Sequence, residues 1–287
     1  MKLAHFAHDG RSRLGIVEGD RINDLAASAP DLPTDPLTFL AAGRPAMEGA
    51  RRATADSPAW LDLVSVGLLA PVPRPGKFLA IALNYRDHLE ETGMDEPKFP
   101  TFFAKASTCV VGPGDAIEVP VVSDLVDYEG ELGVVIGTRC RHVPAADALS
   151  VVAGYTIVND VTVRDWQLRA PTMMIGKSFD THGPMGPWIV TTDEIEDPQD
   201  LRIRTLVNEQ VLQDASTSLM LFDVATQIET LSTAMTLEPG DVISTGTPAG
   251  VGIVRKPPIL LKAGDTVRVE IDGIGALANP VVAEAAG

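Results

Sequence analysis

Short apolar runs separated by turn residues constrain this chain more than any other feature of its sequence. From Phe78 onward, runs of five to eight residues recur with little helical pattern between them. Runs of this length, bounded by Gly, Pro, Asn and Asp, are typical of β-strands. Their close succession predicts a mixed or antiparallel β architecture rather than a doubly wound sheet. The runs are FLAIAL, TFFAK, AIEVP, LGVVIG, AGYTIVND, PWIVTT, LRIRTLVN, DVISTG and TVRVEI.

The first part of the chain predicts a small α+β module. KLAHFA, RLGIVE and RINDL are short runs with turn residues at Asp9-Gly10 and Gly19-Asp20 between them, which predicts hairpins. Residues 36–54 have a helical pattern, and the proline-rich APVPRPG of residues 70–76 follows. We therefore predict an exposed linker there, with a small module at residues 1–70 and a larger domain at residues 71–287.

The larger domain contains one clear helical pattern. In FDVATQIETLSTAM, the residues Val224, Ile228, Leu231 and Met235 fall on one helical face. The fold class predicted for the whole chain is therefore α+β and mostly β.

Composition excludes several classes of function. The formal net charge of -16 argues against a nucleic-acid surface or an anionic membrane as partner. No apolar run reaches the ~18 residues that a membrane helix requires. Cys109 and Cys140 are the only cysteines and have no C-x-x-C spacing, so neither a disulfide framework nor a zinc site is expected. These features predict a cytoplasmic protein.

Acidic residues alternate along one predicted strand. In VDYEGELGVVIG, Asp127, Glu129 and Glu131 share one face if the whole stretch is extended. Like charges ~7 Å apart repel by about 2 kcal/mol at an effective dielectric near 20, so a cation is expected beside them. Asp160, at the end of the run GYTIVND, completes an all-oxygen ligand set that suits Mg²⁺, Mn²⁺ or Ca²⁺. A strand end that dips into solvent is the alternative.

A histidine and a glutamate three residues apart form a second candidate group. In NYRDHLEE, Asn84 is predicted to cap a short helix, which places His88 and Glu91 on one face. A carboxylate beside an imidazole can orient it as a general base toward water. An exposed surface pair is the alternative.

Two glycine-containing segments could approach a ligand. GKSFD looks like the end of a P-loop, but Pro171 stands where that motif needs glycine, so only Lys177 remains as a candidate cation for an anionic substrate. TGTPAGVG follows the run DVIS, and its glycines allow close backbone approach while Thr247 offers a hydroxyl. An ordinary solvated lysine and a plain turn are the alternatives.

Taken in order, these motifs resemble the fumarylacetoacetate hydrolase family, and within it a bacterial subgroup similar to its domain-containing protein 2. The resemblance runs from about Pro73 to the C-terminus. It rests on six motifs in family order: NYRDH, DYEGEL, ND at residues 159–160, RDWQ, GKSFD and TGTPAGVG.

The resemblance implies a catalytic domain built as a β-roll, a homodimer, and a divalent cation, Mg²⁺ or Mn²⁺, held by Glu129, Glu131 and Asp160. It implies hydrolysis of a C–C bond in a 2,4-dioxo acid from aromatic or sugar-acid breakdown. The implied catalytic residues are His88, Glu91 and Lys177. The implied substrate contacts are Arg164, Gln167, Gly246 and Thr247.

A second reading keeps the same metal site but makes the enzyme a 2-oxo acid decarboxylase or a keto–enol isomerase. The presence of both His88 and Glu91 favours hydrolysis, because neither alternative needs a base that activates water.

Two departures from the family pattern concern the substrate. Leu83 stands where relatives that cleave simple acylpyruvates carry arginine, and Met173 and Met174 replace a polar segment. Leu83 argues against a simple acylpyruvate as substrate. The methionines favour a less polar or bulkier substrate tail, and a role in the core is the alternative for them.

Overall fold

The computed structural model describes residues 1–285, and its N-terminal strands follow the turn pattern of the sequence. The strands β1 (Lys2–His8) and β2 (Arg11–Glu18) pair antiparallel. The two residues that join these strands, Asp9 and Gly10, both have positive φ, as a tight turn requires. The hairpin β2–β3 closes in the same way at Gly19, where β3 is Arg21–Asp24. The predicted hairpins are present.

Sixteen further strands follow within the described residues: β4 (Trp60–Asp62), β5 (Gly67–Leu69), β6 (Phe78–Ala82), β7 (Thr101–Lys105), β8 (Val110–Val111), β9 (Ile117–Val119), β10 (Val126–Asp127), β11 (Gly130–Ile136), β12 (Val152–Asn159), β13 (Thr162–Val163), β14 (Gly183–Thr191), β15 (Arg202–Val207), β16 (Gln210–Ser216), β17 (Val242–Ser244), β18 (Thr266–Ile271) and β19 (Gly275–Ala283).

The helices are few and mostly short: α1 (Leu25–Ser28), α2 (Pro36–Ala41), α3 (Gly43–Asp56), α4 (Arg86–Thr92), α5 (Arg164–Gln167) and α6 (Val224–Ala234). The predicted helical residues 36–54 therefore form two helices. Asp35 caps α2 and Asp223 caps α6, each accepting a hydrogen bond from the backbone amide three residues on. The predicted apolar face of α6 is buried at Val224, Ile228 and Leu231.

Two sheets form the body of the protein. The larger has the order β4-β3-β2-β1-β14-β12-β11-β17-β6-β7, with β5 and β8 paired beside it. The smaller has the order β16-β15-β18-β19-β9. Along β11 the side chains alternate, so that Leu132 and Val134 pack toward the smaller sheet and α6, while Val135 packs toward α2 and α3. The large sheet is thus covered on both faces.

The predicted boundary at residues 70–76 is not an exposed linker. Ala70, Pro71, Val72 and Pro75 are buried. The two sides of the boundary also share one sheet, because Lys2 and Leu3 of β1 pair with Val190 and Ile189 of β14. The division at residue 70 stays a prediction, but its two parts lie against each other along a hydrogen-bonded strand.

Strand register brings four strand ends together. Antiparallel pairing sets Gly130 of β11 opposite Asn159 of β12, so Glu131 and Asp160 lie at neighbouring ends. The strand β17 runs along β11 with Ser244 opposite Gly133. β6 runs parallel to β17 with Ala80 opposite Ser244, so the end of β6 at Ala82 also lies at this edge. The candidate site occupies this edge.

Candidate active site

The acidic stretch is not one continuous strand. Residues Tyr128 and Glu129 separate β10 from β11, so the strict alternation predicted for Asp127, Glu129 and Glu131 is interrupted. Glu129 and Glu131 line one cavity. Asp127 instead binds Arg164 and the backbone amide of Gly252. Because the strand is interrupted at these two residues, Asp127 lies in a different environment from the other two carboxylates.

Glu131 is buried without a cationic partner among the described residues. Its Oε2 atom accepts hydrogen bonds from Ser244 Oγ at 2.6 Å and from the Gly246 amide at 2.8 Å. Burial, together with the nearby Asp160 and Glu129, raises the pKa of Glu131 to about 8. The protein thus holds a carboxylate in place while leaving its negative charge uncompensated.

The other two carboxylates are bound by cations. Lys177 Nζ lies 2.6 Å from Glu129 Oε2 and 2.7 Å from Asp160 Oδ2. Lys105 Nζ lies 2.6 Å from Asp160 Oδ1. Arg164 binds Glu129 Oε1 at 2.7 Å. Burial alone would raise the pKa of Glu129, but Lys177 and Arg164 outweigh it and lower that pKa to about 2.

The donor set fits a divalent cation. Glu129, Glu131 and Asp160 each offer an oxygen within 4.8 Å of the others, and all three are buried. Carboxylate oxygens in this number suit Mg²⁺ or Mn²⁺ better than zinc. When Glu131 is ionised, four buried carboxylates, with Asp127 included, face three buried cations, and one negative charge is left over. A divalent cation would reverse that excess and leave the site attractive to an anion.

Lys105 is a site residue that the sequence analysis missed. It ends β7, its side chain is fully buried, and besides Asp160 it contacts the backbone carbonyl of Lys177. The sequence carries one signal for it, since a lysine at the end of the apolar run TFFAK is unusual in a buried strand. Its partner could not be identified from the sequence.

Lys177 reaches the carboxylates from a tight turn. It ends a 3₁₀ turn, Ile175–Lys177, rather than preceding a short strand. At Gly176 a Cβ atom would lie 2.2 Å from the backbone nitrogen of Gln167, so only glycine permits this close approach. The turn of Lys177 therefore packs directly on α5, which carries Arg164 and Gln167.

Arg164 is already engaged by protein carboxylates. Its Nε atom donates to Asp127 Oδ2 at 2.8 Å, and its remaining nitrogens bind Asp127, Glu129 and the side-chain oxygen of Gln167. These contacts raise its pKa despite burial. The residue lines the cavity, as does Gln167. Their predicted contact with substrate stays a prediction.

The histidine–glutamate pair is formed and faces the same cavity. His88 Nδ1 lies 2.6 Å from Glu91 Oε1 within α4, and Glu91 Oε2 accepts the Gly250 amide at 2.9 Å. His88 lines the cavity together with Glu129 and Glu131. A surface pair would be solvated, whereas His88 is buried. Because the carboxylate holds Nδ1–H, the Nε2 atom is left as the acceptor.

Asn84 does not cap α4, contrary to the sequence prediction. The N-cap of α4 is Tyr85, without a side-chain hydrogen bond. The Asn84 amide group instead donates to the carbonyls of Phe222 and Thr245, and its oxygen accepts the Phe222 amide. A buried asparagine beside free backbone groups satisfies three of them, which outweighs a single cap hydrogen bond.

The segment TGTPAGVG contributes to the site mainly through its own contacts. Thr247 lines the cavity, and its hydroxyl donates to the Gly130 carbonyl at 3.0 Å and accepts from Gln213 at 2.7 Å. The Gly246 amide is bound to Glu131 rather than left free. A substrate contact by either residue stays a prediction.

The cavity has a volume of about 530 Å³, and its wall has a polar part and an apolar part. The polar part includes Glu129, Glu131, His88 and Lys177. Leu83, Met94, Phe103, Met173 and Val254 contribute to the apolar part. Of the two methionines predicted at a substrate tail, Met173 lines the cavity, whereas Met174 belongs to a separate shallow pocket with Trp166 and Phe179.

The family described as fumarylacetoacetate (FAA) hydrolase C-terminal matches residues 77–282, which includes every candidate site residue named above. The chain belongs to this family. The prediction from the six motifs is therefore confirmed.

Relatives of the fumarylacetoacetate hydrolase family match over nearly the whole chain. The mitochondrial oxaloacetate tautomerase of Xenopus laevis is 43% identical over 274 residues, which is 95% of this chain and 86% of that protein. The structure of a fumarylacetoacetate hydrolase from Exiguobacterium antarcticum aligns with a TM-score of 0.89 at 40% identity, covering 99% of this chain and 100% of that one.

A third relative was solved with ligands. The maleylpyruvate hydrolase of Sphingobium sp. SYK-6, in complex with manganese(II) and pyruvate, aligns with a TM-score of 0.81 at 35% identity, covering 99% of each chain. Together these structures confirm the predicted α+β, mostly β fold of the family. The solved structures similar to this chain include hydrolases and an isomerase. Among residues 1–285, no helix has the length and apolarity needed to cross a membrane.

Proposed function

We propose that this chain is an enzyme dependent on Mg²⁺ or Mn²⁺ that hydrolyses a C–C bond in a 2,4-dioxo acid. One observation supports this most: Glu129 and Glu131 of a buried carboxylate trio line the same cavity as His88 of a histidine–glutamate pair. The cytoplasmic location and the homodimer stay predictions from composition and from the family resemblance.

The carboxylate trio would hold the metal, which when bound supplies Lewis acidity and a binding site for the carboxylate and 2-oxo groups of the substrate. Asp160 and Glu129 are fixed for this by Lys105, Lys177 and Arg164. Glu131 is fixed by Ser244 and Gly246. Each ligand is thus held before any substrate arrives, as an efficient site requires.

His88 would remove a proton from water at its Nε2 atom while Glu91 stabilises the resulting imidazolium. The hydroxide oxygen bonds to C4 of the substrate, and the C3–C4 bond then breaks with its electron pair moving toward C3. A carboxylic acid and the enolate of a shorter 2-oxo acid result, and the proton taken up by His88 returns to C3 of that enolate to complete the second product. Lys177, buried beside Glu129, is the cation placed to stabilise developing oxyanion charge.

Keto–enol isomerisation of a 2-oxo acid is the second candidate, and the 43% identity to the frog oxaloacetate tautomerase favours it. It uses the same carboxylates and Lys177, because both reactions pass through an enol. A 2-oxo acid decarboxylase would do so as well. The reactions differ in whether water must be activated, which makes His88 the residue that separates them.

Metal addition is expected to raise the thermal stability. A cation that binds only the folded protein stabilises it by about 2.7 kcal/mol at a free concentration 100 times its Kd. For a chain of this size that corresponds to a rise in Tm of roughly 5 °C or more. Scanning fluorimetry with MnCl₂, MgCl₂ and EDTA measures the effect. Equal Tm values in all three would contradict the metal site.

The substrate is expected to carry an uncharged, apolar tail. Arg164, Lys177 and His88 line the cavity but are paired with protein carboxylates, so the wall offers no free cation for a second carboxylate within the described residues. Each methylene buried against Met173 or Phe103 should add about 0.8 kcal/mol, or roughly fourfold in kcat/KM.

A series of 2,4-dioxo acids with tails of increasing length tests both the reaction and the tail. Mass spectrometry identifies the products, with Mg²⁺ and Mn²⁺ each supplied. Cleavage products whose yield rises with tail length support the proposal. Products without cleavage would favour isomerisation or decarboxylation, and no turnover of any compound would contradict all three.

A further inference from the structure

Three backbone amide donors of one short segment connect two parts of the active site. The segment Gly250–Ile253, called here the clamp, donates its Gly250 amide to Glu91 Oε2 at 2.9 Å. It donates the Gly252 amide to Asp127 Oδ1 at 2.8 Å and the Ile253 amide to Asp127 Oδ2 at 3.0 Å. One short stretch of backbone therefore binds a carboxylate of α4 and a carboxylate of β10.

The clamp packs closely against the backbone of neighbouring segments. A Cβ atom at Gly250 would lie 2.1 Å from the Leu212 carbonyl oxygen, and one at Gly252 would lie 2.0 Å from the Ile259 carbonyl oxygen. Gly250 also has a φ of +104°, which favours glycine. Its carbonyl accepts the Tyr128 hydroxyl at 3.0 Å. The glycines of this motif thus permit close packing of the protein on itself.

Asp127 extends the connection to the carboxylate trio. It is fully buried, and besides the clamp it binds Arg164 through Nε at 2.8 Å and through a second nitrogen at 2.7 Å. Arg164 in turn binds Glu129 at 2.7 Å. A continuous path therefore runs from Glu91 to Glu129: hydrogen bonds join Glu91 and Asp127 to the clamp backbone, a hydrogen bond joins Asp127 to Arg164, and an ion pair joins Arg164 to Glu129.

We propose that Asp127 is a positioning residue that fixes the histidine–glutamate pair of α4 relative to the carboxylate trio, through the clamp on one side and Arg164 on the other. Asp127 does not line the cavity, so it acts only through these contacts. Reacting groups misplaced by about 1 Å can lose roughly 10²-fold in rate. The catalytic consequence rests on the proposed hydrolysis, but the mechanical connection does not.

Hydrogen exchange tests the connection without any substrate. Asp127→Asn keeps the size of the side chain but replaces one of its acceptor oxygens with an NH₂ group. That group would face the N–H donors that now bind Asp127. We expect faster amide exchange in Gly250–Ile253 and also in α4, which Asp127 does not touch. Unchanged exchange in α4 would overturn the proposal.

Asp241→Asn is the matched control. Asp241 is equally buried, accepts the amides of Lys77 and Glu238 at 2.8 and 2.7 Å, and pairs with Lys77 Nζ at 2.8 Å, away from the site. Its substitution should speed exchange locally and leave α4 unchanged. Ile253→Pro serves as a second variant should Asp127→Asn not fold, because it removes one clamp amide and leaves every charged side chain in place.

Kinetics then separate positioning from general disruption. For Asp127→Asn we expect hydrolysis to fall about 10- to 100-fold in kcat, with KM and Mn²⁺ affinity within about threefold of wild type, since Lys177 still holds Glu129. Placed in a His88→Ala background, the same substitution should cost less than about twofold. If Asp127→Asn lowered kcat by the same factor in the His88→Ala background as in the wild type, the proposal would be overturned. If the wild type hydrolyses no 2,4-dioxo acid, the proposed function fails while the exchange result still decides the connection.

Discussion

Glu131→Gln is expected to abolish divalent-metal binding and turnover without weakening the metal-free fold. The glutamine oxygen can still accept hydrogen bonds from Ser244 and Gly246, so the local structure is retained. The ligand charge is lost, and metal affinity should fall about 100-fold or more, beyond what the loss of an outer-shell partner costs. Calorimetric titration with Mn²⁺ measures this directly.

The same variant has a pH signature in the metal-free protein. The folded-state pKa of Glu131 is about 8, raised by burial and by Asp160 and Glu129, whereas in the unfolded chain the carboxyl has its ordinary value. Wild type therefore loses stability as pH rises between these values, because unfolding releases a proton there. Glutamine cannot titrate. The stability advantage of Glu131→Gln should widen from pH 5 to 8, by at most about 1.4 kcal/mol per pH unit.

Denaturant unfolding at three pH values in EDTA measures that advantage. Glu229→Gln is the control, because Glu229 also accepts a backbone amide, from Ala145 at 3.0 Å, but lies on α6 away from the site. It should leave Mn²⁺ affinity unchanged. Wild-type Mn²⁺ affinity in Glu131→Gln would remove Glu131 from the ligand set.

His88→Ala is expected to remove C–C hydrolysis while leaving enolisation in place. Loss of a general base costs about 10²-fold or more. The carboxylate trio and Lys177 do not depend on His88 for their contacts, so they should still promote proton exchange at C3 of a 2-oxo acid. Hydrolysis and solvent-deuterium exchange, measured on the same 2,4-dioxo acid, report the two steps separately.

Two further variants complete this test. Glu91→Gln should fall between wild type and His88→Ala, because glutamine can still position the imidazole but cannot stabilise its charged form. His142→Ala, at an exposed histidine, should match wild type in both assays. Unchanged hydrolysis in His88→Ala would assign the pair no role in water activation and would favour the isomerase or decarboxylase reading.

Much of the architecture could be predicted from local sequence. Turn residues at fixed intervals placed the N-terminal hairpins, and the apolar spacing of Val224, Ile228 and Leu231 placed α6. The motif order predicted the family, which the family match confirms. These features depend on a few neighbouring residues, so the sequence contains the information directly.

Contacts between distant segments could not be predicted in this way. Asn84 has the composition of a helix cap, but Thr245 and Phe222 offered it better partners from far along the chain. Proline-rich residues 70–76 have the composition of a linker, but four of them are buried, and the strands on both sides, β5 and β6, pair within the larger sheet. In each case a tertiary contact outweighed a local preference.

The sequence by itself determined the chemical types at the site: three carboxylates suited to a hard cation, a histidine with a glutamate on one helical face, and a lysine after a glycine. Tertiary structure alone decided how they pair. Asp127 and Glu129 are two residues apart, yet a break between β10 and β11 gives the first to the clamp and the second to the cavity. Lys105 and Asp160 are 55 residues apart along the chain, yet the fold places Lys105 Nζ 2.6 Å from Asp160 Oδ1. Charges interact over a few ångströms of space, and distance in space is set by the folded sheets rather than by separation along the chain.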